Sequence, residues 1–173
     1  MMLFKADILR KQEIFANDGG RHALLRILLS DGTGAMALYR LTRWFYKYRL
    51  SPVAYVFQWV NKLLNGCVIG MGADFGPGFV IMHPMGIVIN SKVVGGKNIT
   101  LESGVVIGDE KGRSPRLGND IFVGSGAKII GDLRLGDGVK VGANAVVVRS
   151  AGDGATLLGI PATPYTKKTE SPE

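Results

Sequence analysis

Counting every sixth residue from Ile69 gives Ile69, Phe75, Ile81, Ile87, Val93, Ile99, Val105, Lys111, Leu117, Val123, Ile129, Leu135, Val141 and Val147. All but Lys111 are large and apolar. In a chain with 46% hydrophobic residues, a chosen register does this by chance with a probability on the order of 10⁻⁴. The residue after each is often Gly (Gly70, Gly76, Gly118, Gly124, Gly136, Gly142), and the fourth after is often small (Ala73, Ser91, Ser103, Ala127, Ala145, Ala151).

A period of six fits neither a helix nor a long alternating strand. It fits a short strand followed by a turn, and three such units close a triangular coil of about 18 residues. Coils then stack at the ~4.8 Å inter-strand spacing, with the apolar residue inside the prism and the small one beside it in the tighter corner. Of the 25 glycines, 21 follow residue 65, where repeated turns need backbone conformations that other residues resist. Residues 66–160 are thus expected to form about five coils of a parallel β-helix. Lys111 breaks the period inside Gly108-Asp-Glu-Lys-Gly-Arg-Ser-Pro-Arg116, which is too polar to line an apolar prism. The segment 108–116 is expected to protrude as a loop, where function tends to concentrate.

Residues 1–65 follow a different pattern and read as a short α-helical segment, with residues 161–173 as a C-terminal tail. They hold ten of the 14 aromatics and ten Lys/Arg against four Asp/Glu, so they carry nearly all of the +7 net charge. Helices are expected at about 5–14, 20–30 and 34–48, and another from Ser51-Pro52. In the third, Arg40, Arg43 and Lys47 mark a basic face and Ala37, Leu41, Trp44 and Tyr48 an apolar one. In the fourth, Val53, Val56, Phe57, Val60, Leu63 and Leu64 are apolar, opposite Gln58, Asn61 and Lys62. Such helices suit packing on the end of the β-helix, a neighbouring subunit, or peripheral contact with a membrane. With no run approaching 18 apolar residues, no h-region and a single cysteine, Cys67, beside Val68-Ile69, a cytoplasmic protein with an unreactive buried thiol is expected. The repeats are nearly neutral and carry no recognised nucleic-acid motif, so nucleic-acid binding is not expected.

The hexads followed by Gly154-Ala-Thr-Leu-Leu-Gly-Ile-Pro-Ala162 resemble the hexapeptide acyltransferases. That resemblance implies a left-handed β-helix and a homotrimer with sites between subunits. Within that superfamily, Ile81-Met-His-Pro-Met-Gly-Ile-Val-Ile-Asn90, Gly126-Ala-Lys-Ile-Ile-Gly131 and Leu38-Tyr-Arg-Leu-Thr-Arg-Trp-Phe-Tyr46 resemble segments of the serine acetyltransferases, the first their "D-H-x-x-G-I-V-I-G" block. The chain departs from the family in the "R-H-P" triplet of the loop, here Arg113-Ser114-Pro115. It also departs at the aspartate fifteen residues before the catalytic His, here Val68, and at the C-terminal Ile, since this chain ends Ser-Pro-Glu173. These departures and Val88-Ile89-Asn90 are closest to the exopolysaccharide, colanic-acid type of serine-acetyltransferase-like protein, which implies a sugar hydroxyl acceptor.

The activity so implied is acetyl transfer from acetyl-CoA to a hydroxyl of a sugar or polysaccharide precursor, with no metal. It needs a base, donors to the oxyanion and two substrates within reach. His83 is the expected base, since a neutral imidazole accepts a proton near pH 7. Its orienting partner is left open between a backbone carbonyl, Asp74 and a neighbouring subunit. Arg113, Ser114 and Asp74 are the expected acceptor-binding residues. By the resemblance, Asp109, Ser125, Gly126, Lys128, Lys140 and Ala143 hold coenzyme A, with Lys167-Lys168 as candidates for its 3′-phosphate. The alternatives are a serine O-acetyltransferase of cysteine biosynthesis and a non-catalytic scaffold. A carbonic anhydrase on the same fold needs three His per zinc, and this chain has only His22 and His83.

Overall fold

The computed structural model describes residues 2–17 and 24–165; His22, Lys167 and Lys168 lie outside them. Four helices come first: α1 (Met2–Asn17), α2 (Leu24–Leu28), α3 (Thr33–Lys47) and α4 (Ser51–Asn65). Pro52 in the first turn of α4 and left-handed Gly66 at its end bound that helix as the sequence suggests. None of the described helices is long and apolar enough to cross a membrane.

Short strands then stack in three parallel sheets. The first holds β1 (Val68–Ile69), β4 (Val88–Ile89), β7 (Val106–Gly108), β10 (Lys128–Ile130) and β13 (Val146–Val147). The second holds β2 (Asp74–Phe75), β5 (Val94–Gly95), β8 (Arg116–Leu117) and β11 (Arg134–Leu135). The third holds β3 (Val80–Ile81), β6 (Thr100–Leu101), β9 (Phe122–Val123), β12 (Lys140–Val141) and β14 (Thr156–Leu158), closed by antiparallel β15 (Thr163–Pro164). The result is a β-helix of four complete coils. A fifth follows whose second side is reduced to a bridge between Leu135 and Ala151.

All thirteen apolar residues of the six-residue count are buried, at 5% exposure or less. The register is nevertheless not the one the count assumes. Ile69 pairs with Ile89, Phe75 with Gly95 and Ile81 with Leu101, because the turn Met82–Gly86 carries two residues more than a hexad. The loop between Ile107 and Leu117 carries four more. Together they amount to one full hexad, so the count falls out of step after Ile81 and back into step at Leu117. In between, Ile87, Val93, Ile99 and Val105 are buried two positions ahead of the true strand centres, and Ser91 and Ser103 lie in turns rather than in corners of the core.

One strand centre is Gly95, because the space it faces is already filled. A Cβ there would stand 2.5 Å from Phe75 Cδ1 and 2.6 Å from Ile99 Cδ1. The Phe75 ring stacks on Phe79 at 4.3 Å, and Tyr39 of α3 meets Phe79 edge-on at 5.3 Å. This aromatic group plugs the wide N-terminal end of the prism.

The helices bring polar side chains inward beside the apolar Ile8, Ile27, Ala35, Met36 and Tyr39, while much of the face expected to be apolar points out. Arg40 is buried, pairing its Nε and Nη2 with both oxygens of Asp7 in α1 at 2.7 and 2.9 Å, while Leu41, Trp44 and Tyr48 are exposed. Asn61 is buried and donates to the Ala35 carbonyl, while Val53, Val56, Leu63 and Leu64 are exposed. The first coil explains this inversion. Its three strands have coils on one side only, leaving open edges whose N–H and C=O groups need partners. Gln58 donates to Ile69 on β1. Tyr39 Oη donates to Ala73 and accepts from Phe75 N, and Arg40 donates to the Phe75 and Gly76 carbonyls. Asp7 accepts from Phe79 N beside β3, and Lys11 donates to the Ile81 carbonyl on β3. Burial pushes the Tyr39 hydroxyl pKa up to about 12, so it remains a neutral donor.

Candidate active site

Successive turns between the third and first sheets stand above one another and form one corner of the prism. Their backbones are stitched by Gly86 N to Gly66 O, Gly104 N to Met85 O, Gly126 N to Ser103 O and Asn144 N to Ser125 O, at 2.7 to 3.0 Å. His83 opens this column at the lowest turn, two residues beyond buried Ile81. Ser125 and Gly126 stand two turns above and Ala143 three, which at ~4.8 Å per coil is a run of about 10 to 15 Å. Gly126 has φ +73°, and a Cβ there would meet Asn144 Oδ1 at 2.1 Å. Lys128 Nζ donates to Gly104 O along the same corner, and exposed Lys140 lies on β12 just before the Ala143 turn. His83, Ser125, Gly126 and Ala143 thus lie in successive turns of one corner, flanked by Lys128 on the first sheet and Lys140 on the third.

The other expected site residues lie elsewhere. Asp109 follows β7 at the corner between the first and second sheets, accepting from Asn90 Nδ2 at 3.0 Å and from Gly112 N at 3.1 Å. Ser114 donates to Asn90 Oδ1 at 3.2 Å, and Lys92 Nζ to Gly112 O at 2.9 Å. These bonds fix the loop as a folded projection. Arg113 reaches Asp132 at 2.8 Å, and with Glu110 and Lys111 these two line an open depression of about 300 Å³. The first sheet separates this loop from the His83 corner, so within one chain Arg113, Ser114 and Asp109 are not brought to the imidazole. Asp74 is not brought there either. It lies on the second sheet, and Arg43 Nη2 binds its carboxylate at 2.7 Å.

The residue beside His83 is one that no motif singles out. Asp31, in the turn ahead of α3, places Oδ2 3.3 Å from His83 Nδ1. Beneath it Lys11 is fully buried, and its Nζ donates to the Asp31 and Ile81 carbonyls and to Thr33 Oγ1. Loss of hydration lowers the Lys11 pKa to about 8, against the opposing pull of the Asp31 charge. Ser30-Asp31-Gly32-Thr33 reads as an ordinary helix start, and no spacing rule links it to a histidine 52 residues later. Cys67 is buried as expected, its thiol pKa pushed up to about 12 by desolvation. Among the described residues, no three His, Cys, Asp or Glu side chains converge to hold a metal ion.

No family model matches the chain. Among curated proteins, it is 39% identical over 145 residues to a serine acetyltransferase of Helicobacter pylori, covering 82% of this chain and 85% of that one. It is 35% identical over 153 residues to the serine acetyltransferase of Synechococcus elongatus, covering 86% of this chain but 63% of that protein's length. Among solved structures, serine acetyltransferase from Neisseria gonorrhoeae in complex with serine superposes with a TM-score of 0.86 at 30% identity, over 94% of this chain and 68% of that one. A serine acetyltransferase in complex with CoA gives 0.86 at 26% identity, over 94% and 68%.

Proposed function

Since the chain belongs to the family of serine acetyltransferases, we propose that it transfers the acetyl group of acetyl-CoA to a hydroxyl oxygen, with the side-chain hydroxyl of serine as acceptor. The observation that carries this reading is the corner column: turns of small residues, flanked by two lysines, stacked above the exposed His83 imidazole. His83 Nε2 takes the proton of the acceptor hydroxyl as that oxygen attacks the thioester carbonyl carbon. Backbone N–H groups hold the oxyanion, the C–S bond then breaks, and the imidazolium returns its proton to the departing sulfur. No covalent intermediate on the protein is needed. Ser125, Gly126 and Ala143 let the pantetheine arm lie against the backbone, and Lys128 and Lys140 face its phosphates. The acetyl-CoA reading rests on family membership and on the relative solved with CoA.

A sugar hydroxyl of a polysaccharide precursor is the second acceptor. What favours it is local: Met82 stands where the family block has aspartate, and Ser114 where the loop triplet has histidine. Thiol release from acetyl-CoA, measured with serine and with sugars and nucleotide sugars in parallel, decides between them. Rapid release with serine removes the sugar reading, and release with a sugar alone removes serine. In either case His83→Ala is expected to lose at least about a hundredfold in kcat, within the ~10²–10⁴ range of a positioned base. An unchanged rate in His83→Ala overturns the base assignment, and no release with any acceptor leaves a non-catalytic scaffold.

We further propose that the acceptor site is completed by a neighbouring copy in a homotrimer, which would bring a loop carrying Arg113 and Ser114 to another chain's His83. The exposed apolar residues Val88 and Phe122 on the prism and Tyr55, Val56, Trp59 and Leu63 on α4 fit burial between copies. Light scattering on the purified chain should return three times the 18.5 kDa monomer. A monomer that cosediments with anionic vesicles would assign the α4 face to a membrane surface instead.

A further inference from the structure

Besides its base, this chemistry requires that the base present an unprotonated nitrogen to the acceptor. A neutral imidazole carries its one proton on Nδ1 or Nε2, and the hydrogen bond at one nitrogen decides the role of the other. The family sequences meet this with an aspartate fifteen residues before the histidine. Here that position is Val68, half-buried on β1, whose side chain has no acceptor. The requirement has to be met from elsewhere.

We infer that Asp31, supplied by the helical segment, is the positioning residue of His83. Its Oδ2 lies 3.3 Å from Nδ1 and accepts the Nδ1–H proton, which leaves the Nε2 lone pair free for the acceptor hydroxyl. When Nε2 takes up that proton, the adjacent carboxylate stabilises the imidazolium, and on return of the proton to sulfur the starting tautomer is restored.

Two independent features bring the carboxylate to this place. Gly32 lies so close to β3 that a Cβ would stand 2.0 Å from the Ile81 carbonyl oxygen, with φ at +77°. Any other residue would push the turn away from the strand that leads into His83. Lys11 then ties the turn to that strand by donating to the carbonyls of both Asp31 and Ile81 and to Thr33 Oγ1. The charged group that interacts with the pair is Lys11 beneath it, whose charge feels that of Asp31. The Asp31 and His83 side chains are themselves 76% and 58% exposed, so neither is needed for the core. A carboxylate held by a strained glycine and a buried lysine against an exposed histidine has no role in folding that would account for it.

This inference rests on His83 being the base, and the test separates the two claims. The first measurement needs no substrate. Long-range ¹H–¹⁵N NMR of the imidazoles, with His22→Gln used to assign the two signals, reports which nitrogen is protonated. The wild-type protein should carry the proton on Nδ1, and Asp31→Ala should move it to Nε2 with the fold unchanged by circular dichroism. The second measurement is steady-state thiol release. Asp31→Ala should lower kcat about 10- to 100-fold, less than the ~10²–10⁴ expected on removing a base, with the KM for acetyl-CoA unchanged and partial recovery in Asp31→Glu. An Asp31→Ala protein with the same tautomer as wild type, or with full kcat, overturns the inference. A tautomer shift in Asp31→Ala together with full activity in His83→Ala upholds the pairing and overturns the base assignment instead.

Discussion

The prism and the helical segment that closes it obey different rules. In the prism, apolar residues face inward and polar ones outward, and each coil's partner is another coil like itself. In α3 and α4, Arg40, Asn61 and Gln58 face inward while Trp44, Val56 and Leu63 face out. The difference lies in what each packs against. A coil inside the stack has its backbone groups paired on both sides and asks its neighbours only for apolar volume. The first coil has an open edge on each of its three sides, and a helix laid across such an edge must bring donors and acceptors. Amphipathicity therefore points at the partner only when the partner's own hydrogen bonds are complete.

Substitutions on the two sides of this contrast should differ in size. The largest effect is expected at Asp7→Ala, which strands Arg40 and Phe79 N without their acceptor in a buried place. A loss of about 3–5 kcal/mol should appear in urea unfolding. Asp7→Leu combined with Arg40→Met should recover only part of that, because the Phe75 and Gly76 carbonyls lose their donor. Full recovery would show that the edge does not need polar partners. Within the prism, Leu101→Ala removes volume but no hydrogen bond and should cost about 3 kcal/mol in the same assay. Gly126→Ala forces a Cβ into a left-handed turn against Asn144 Oδ1, for about 2 kcal/mol and a raised KM for acetyl-CoA.

A smaller effect is the pH response of Lys11. Its folded pKa lies near 8, below the ordinary 10.5, so the folded chain releases this proton first and stability rises as pH climbs from 8 towards 10.5. Thermal unfolding at pH 8 and pH 10 should show this gain in the wild type and its absence in Lys11→Met. Arg43→Ala is the weakest, below about 1 kcal/mol, since its pair with Asp74 is open to solvent. A loss as large as that of Asp7→Ala would mean that exposed pairs also hold the cap to the prism.

The sequence therefore reveals the molecule unevenly. The β-helix can be read because its order is local: a strand and a turn repeat every few residues, and burial follows that repeat. His83 can be read because its block resembles the family's. Asp31 cannot, since its role depends on a turn of the helical segment touching a strand end far along the chain, an approach enabled by Gly32 and Lys11. The inward face of α3 escapes a reading of the sequence because Arg40 looks like a surface charge until the strand edge that it serves is in view. Arg113 and Ser114 lie on the loop that the break in the period predicts, but the first sheet keeps that loop from the histidine of its own chain.

The turn at Met82–Gly86 and the loop before Leu117 behave like a frameshift and its suppressor. Each alone would throw every later strand out of phase, and together they restore the reading frame one hexad further on. Strands β4 to β7 are the stretch read in the altered frame. The turn with His83 opens that stretch, and the projecting loop ends it. Anyone transplanting the His83 turn into another β-helix has to set the strand register from the ladder pairs, because a six-residue count along the new sequence runs two residues out until a compensating loop restores it.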